Sequence, residues 1–124
     1  MRFTGTPIVD RSADAVRQLF WLDMPAWNAT CAAHPWPYPY LTPNLDLTVQ
    51  FHRFAPEVKW LLAEGSVPVV AEGLVGCVSR IWTEDGRLLA TGTSKNICRP
   101  NPRYAEALEL AKKNAEVGEE VADR

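Results

Sequence analysis

Two carboxylates stand where an acid needs a local reason. Asp46 falls inside NLDLTVQFHRF, residues 44–54, which alternates with period two. Leu45, Leu47, Val49 and Phe51 share one face, and Asp46, Thr48, Gln50 and His52 share the other, the pattern of a half-buried strand. Aspartate is disfavoured inside strands. Asp46 therefore either caps a turn after Pro43-Asn44 or is a reactive group able to orient a water and take its proton. Asp23 lies on a helical face otherwise made of Val16, Leu19, Phe20 and Trp27. It either ends a helical segment before Met24-Pro25 or serves as a polar group on a pocket floor. His52 shares the strand face of Asp46 but is six residues further on, roughly 20 Å at strand rise. The two cannot form a dyad within one strand, and His52 reads as a scaffold residue. His34, in a Pro/Trp-rich loop, could come beside Asp46. Cys31, Cys77 and Cys98 have no neighbouring base and read as small core residues. They form no CxxC pair, and the two histidines join no ligand spacing, so no metal is expected.

These residues must be positioned by a small domain. The chain has 124 residues, enough for one compact core. Its net charge of −2 gives no basic excess to follow a phosphate backbone, so nucleic acid is not an expected partner. No apolar run reaches the length of a membrane span. The N-terminus lacks the apolar core of a signal peptide, and unpaired thiols fit a reducing compartment, so a cytoplasmic location is expected. Ser12 or Asp10 can cap a helix beginning near Ala13 and running to about Ala33, with Pro25 expected to kink or restart it. HPWPYPYLTP, residues 34–43, cannot be helical and reads as a stiff extended loop. Its Trp36 and Tyr38, with Trp27, are candidates to line an apolar ligand pocket. After strand 44–54 come strands over 58–66 and 69–83, with Gly65, Pro68 and Gly73 marking a bulge or corner. Glu84-Asp85-Gly86 is a hairpin turn leading to a last strand over 87–98. Residues 103–121 form a polar terminal helix, either solvated or an oligomer contact. One long helix with an antiparallel sheet makes an α+β fold, and its open sheet edges predict pairing with another copy.

The segment L-D-L-T-V-Q-F-H-R, residues 45–53, resembles the L-D-H-x-x-x-F-H-R signature of acyl-CoA thioesterase II-like proteins. Trp60-Leu61-Leu62 is similar to the W-L-L of that family's next strand, and TEDGRLLA, residues 83–90, to its T-x-D-G-x-L-x-A hairpin. The resemblance covers roughly residues 12–100. It implies a hotdog fold: a long central helix wrapped by an antiparallel sheet, with residues 1–102 as the domain and 103–124 as a C-terminal helix or tail. Family members usually carry two hotdogs, and this chain resembles the second. Its first strand would come from residues 2–9.

By the same resemblance, the chain hydrolyses an acyl thioester, fatty or polyketide-like, with Asp46 at the catalytic position. The family's water-holding Thr falls at Pro68, with Ser66 the nearest hydroxyl. Its Gln falls at Ser94, flanked by Thr93 and Lys95. Asp46, Ser94 and Thr93 are thus the expected catalytic set, and Asp23, Trp27, Trp36, Tyr38 and Ser66 the expected substrate contacts. No cofactor is implied, and the expected partners are an apolar acyl substrate and a second copy. The replaced Thr and Gln keep a second class open: a hotdog that binds an acyl or polyketide-like ligand without hydrolysis, or acts on it as a lyase, dehydratase or cyclase.

Overall fold

The structure, a computed structural model, describes residues 10–122, apart from the side chains of Ala26, Trp27 and residues 116–122. The strand expected over residues 2–9 lies outside the described residues. Helix α1 spans Arg11–Cys31. Asp10 is the cap: its side chain accepts from the Ala13 N–H at 2.8 Å. Pro25 is expected to kink or restart the helix, and α1 runs through it as one element without a restart. Gly65 faces Pro25 so closely that a Cβ there would lie 2.5 Å from the proline Cβ and 2.8 Å from its carbonyl oxygen. The missing side chain lets the sheet hold the helix at the point where its own ladder is weakest.

The buried face of α1 differs from the expected one. Val16 and Phe20 are 67% and 58% exposed, whereas Asp14, Arg17, Gln18 and Leu22 are buried. The polar triplet is drawn inward by main-chain groups that need partners. Asp14 binds Arg17, accepts from Gln18 Nε2 at 2.8 Å and accepts from the Ala55 N–H at 2.8 Å. Arg17 donates to the carbonyls of Val58 at 2.6 Å and Ala55 at 3.0 Å, and Gln18 to that of Arg53 at 3.1 Å. The loop after the first long strand is thereby tied to the first turns of α1.

The main sheet contains β2 (Asn44–Phe51), β3 (Leu61–Ala71), β4 (Leu74–Thr83) and β5 (Leu88–Ile97). All pairings are antiparallel and the order is β2-β5-β4-β3. The expected break between the second and third strands moves. β3 continues to Ala71 with a register shift between Ser66 and Val69, and the corner falls at Glu72-Gly73, where both residues have positive φ. The Asp-Gly hairpin stands where expected, with Gly86 at φ 82°. Leu22, Ala55, Leu61, Ile81, Leu89 and Ala90 form the core between α1 and the sheet. The Pro-rich loop ends in a short strand, β1 (Tyr40–Leu41), which pairs with β6 (Arg99–Pro100), and α2 follows over Tyr104–Ala122. This is the α+β arrangement anticipated, with helix and antiparallel sheet in two layers.

Candidate functional site

Asp46 owes its direction to a β-bulge. Asn44 pairs with Asn96, yet Asp46 pairs with Lys95, so Leu45 is an extra residue in β2. Beyond the bulge, Leu47 and Val49 pair with Ser94 and Gly92 on the face toward α1, since a Cβ at Gly92 would meet Leu22 and Leu47 at 3.5 Å. Asp46, Thr48 and Gln50 therefore point to the opposite, outer face. Asn44, paired with the buried Asn96, belongs to the inner one. The segment before the bulge is held at several points. Asn96 Nδ2 donates to the Thr42 carbonyl at 3.1 Å, and the Ile97 N–H donates to the Pro43 carbonyl at 3.0 Å. Asn44 Nδ2 donates to Asp23 Oδ1 on α1 at 2.7 Å.

On the outer face, Asp46 Oδ1 accepts from the Lys95 main-chain N–H at 3.0 Å. This is the only hydrogen bond of Asp46 among the described residues. Its other oxygen is open. Lys95 and then Gly76 lie across from it, so the third strand puts no side chain there. The neighbouring row contains Thr48, Thr93, Val78 and Ser66 in register across the four strands. The arrangement can hold a water against a carboxylate with hydroxyls beside it.

The expected site residues are thus divided. Asp46, Thr93 and Ser66 share the outer face. Ser94 is buried on the inner face, where its hydroxyl donates to Asn96 Oδ1 at 3.3 Å. Asp23 reaches Asn44 and lines none of the cavities described below. Trp36 is 73% exposed and packs edge-on against Tyr38. Tyr38 joins Cys31, His34 and Thr42 around a cavity of about 10 Å³, room for a single water and not for an acyl chain. His34 packs on Tyr40, and His52 Nε2 lies 3.0 Å from the Thr91 hydroxyl. The side chain of Trp27 lies outside the described residues. Thr48 and Asn44 are residues that the sequence reading did not single out. The alternation hid them, because Asn44-Leu45-Asp46 looks regular and gives no sign of a bulge.

Two larger cavities lie elsewhere. One of about 210 Å³ runs between α1 and β3, lined by Trp21, Met24, Pro25, Asn28, Ala29, Ala63 and Gly65. Another, of about 530 Å³, is bordered by Val58, Lys59, Trp60, Glu84, Asp85 and Arg87. No group of three metal-ligating side chains occurs among the described residues, and none of their helices is long and apolar enough to cross a membrane.

Fold and strand order define the chain as a hotdog domain. It belongs to the acyl-CoA thioesterase C-terminal domain family, whose model matches residues 1–95, and so stands among thioester hydrolases. Among solved structures it is similar to the tesB protein of Mycobacterium avium subsp. paratuberculosis, with 21% identity and a TM-score of 0.70 over 80% of this chain and 40% of that one. Acyl-CoA thioesterase II TesB2 of Mycobacterium marinum is 22% identical, with a TM-score of 0.66 over 79% of this chain and 40% of that one. A Bacillus halodurans protein crystallised with CoA is 13% identical, with a TM-score of 0.64 over 80% of this chain and 68% of that one. This chain thus spans about two fifths of the two mycobacterial proteins. A search of curated proteins by sequence gave no match.

Proposed function

We propose that the chain hydrolyses an acyl thioester with Asp46 as general base. The observation that carries this reading is the bulge, which places Asp46 outward with one oxygen fixed on the Lys95 N–H and the other open. A water held by that open oxygen and by the hydroxyls of Thr48 and Thr93 attacks the thioester carbonyl carbon. Its proton passes to Asp46. Collapse of the tetrahedral intermediate breaks the C–S bond, and the proton returns to the leaving sulfur. The products are a carboxylic acid and a free thiol. Ser94 takes no part from its buried position.

A second reading rests on the same hydrogen bond. The Lys95 N–H lies at the bulge, where the ladder is interrupted, and Asp46 supplies its acceptor. In that case Asp46 is structural. Asp46→Asn separates the two, because it keeps an acceptor oxygen and loses the base. Thiol release from a panel of acyl-CoAs should fall on the order of 10²–10⁴-fold in Asp46→Asn if the carboxylate is the base. Wild-type rates in Asp46→Asn would leave the structural reading standing.

The protein acts as a homodimer in the cytoplasm. Pairing is supported by the exposed apolar stripe of α1 and by β3, an edge strand among the described residues that carries Leu62 and Val70, each 63% exposed. The cytoplasmic location is supported by Cys31 and Cys98, which form no disulfide among the described residues. Light scattering should give twice the chain mass of 13.9 kDa. A single-chain mass at working concentration would end the dimer.

A further inference from the structure

Asp23 and Asn44 are left without a task by the hydrolytic reading, yet they make a tertiary bond between α1 and β2 beside Asp46. Asn44 Nδ2 donates to Asp23 Oδ1 at 2.7 Å, and the next residue is the extra one of the bulge. We infer that the Asp23–Asn44 bond is a latch that fixes the bulge and thereby aims Asp46, making both of them positioning residues. This rests on the reading of Asp46 as the base.

The argument is one of parity. Side chains alternate faces along a strand, so Asn44 and Asp46 would share a face in an unbroken strand. They do not, because Leu45 is looped out between two registers. A bulge can migrate or close by moving one residue of register, and each such slip turns every side chain on its far side to the other face. With Leu47 and Val49 packed inward, a slip on their side would turn core residues out, so the slip that costs least lies on the Asn44 side of the bulge. There Asn44 returns to the parity of Asp46, and the carboxylate loses the Lys95 N–H. The Asn96 side-chain amide and the Ile97 N–H hold the chain just before this point, but they hold the main-chain carbonyls of Thr42 and Pro43. The side chain of Asn44 reports which face residue 44 occupies, and Asp23 binds it there. Asp23 lies on a stretch of α1 that is continuous with the core-packed Leu22, so the latch is anchored to the rigid part of the domain. Both latch residues are exposed. Their removal should therefore change direction at the bulge without opening the core.

The test uses Asp23→Ala, Asn44→Ala and the conservative Asp23→Asn, whose amide oxygen still accepts from Asn44. Hydrolysis of the best acyl-CoA and amide exchange at Lys95 are measured on each, with Asp46→Asn alongside. The two alanine variants should lose about tenfold to a hundredfold in kcat, the scale expected of a misplacement near 1 Å, with KM within about twofold. The Lys95 amide should exchange faster, while the amides of Leu47 and Val49 keep their wild-type protection. Asp23→Asn should restore both readouts. Wild-type kcat and wild-type Lys95 protection in both alanine variants would overturn the latch, even if Asp46→Asn is inactive. Equal losses in Asp23→Asn and Asp23→Ala would also overturn it, since the charge of Asp23 would then matter rather than its hydrogen bond. An active Asp46→Asn would instead refute the base itself. The exchange readout would still decide whether the latch holds the bulge.

Discussion

Two acid-bearing clusters, one at the first turns of α1 and one around the bulge of β2, use their hydrogen-bonding capacity in different ways. At the first turns, Asp14, Arg17 and Gln18 are buried and bind the main chain of Arg53, Ala55 and Val58. Both oxygens of Asp14 are occupied by protein donors. Around the bulge, Asp23 of α1 and Asn44 and Asp46 of β2 are exposed, and Asp46 keeps one oxygen open toward solvent. A buried charge needs partners, because desolvation without one costs several kcal/mol; both oxygens of Asp14 have them, while Arg17 Nε and Gln18 Oε1 are buried without a partner. An exposed carboxylate is free of that demand and can hold a capacity in reserve for a substrate water. Of the two clusters, the closed one serves the fold, and the open one keeps the free oxygen that the proposed hydrolysis requires.

The sharpest way to break this comparison is to remove the acid from each cluster. Asp14→Ala leaves Arg17 buried without its counter-charge and leaves the Ala55 N–H without an acceptor. Urea unfolding should show a loss of about 3–5 kcal/mol. Activity per folded molecule should be unchanged, since the outer face lies across the sheet from this cluster. Asp46→Asn should show the reverse, with stability within about 1 kcal/mol of wild type and activity lost. If Asp14→Ala unfolded no more easily than the wild type, the division between the two clusters would collapse.

Part of this organisation was legible in the residues alone. The alternation of Leu45 to Phe51, the Asp-Gly hairpin and the tail helix are local patterns, and each appears within a few residues of its expected place. The Asp10 cap was one of two named options. The orientation of α1 was not legible. Val16, Leu19 and Phe20 make the better apolar face, yet the buried face carries Asp14 and Gln18. What draws these side chains inward is the main chain near residue 55, about forty residues away, and helical periodicity carries no record of that partner. Pro25 is a similar case: its tolerance depends on Gly65 in another strand. At the candidate site, the strand around Asp46 was readable and its face was not. One looped-out Leu45 separates Asp46 from Ser94, which the family resemblance had placed together.

A third acid gives the smallest effect and a graded version of the same contrast. Asp85, in the hairpin turn, is fully exposed, yet its pKa is lowered, above all by the hydrogen bond from the Thr83 hydroxyl, against an opposing desolvation, with Arg87 adding to the lowering. The folded state thus prefers the ionised form more than the unfolded chain does. Its contribution to stability is present above the unfolded pKa and is lost as the pH falls through the lowered folded one. Solvent screening keeps the contribution small. Asp85→Asn removes the titration, so wild type and variant should differ most in urea midpoint near neutrality and converge as acid protonates Asp85. Thr83→Val should flatten the same difference, because it deletes the leading cause of the shift. A gap between wild type and Asp85→Asn that stayed constant from neutral to acid pH would show that the turn is held by geometry alone.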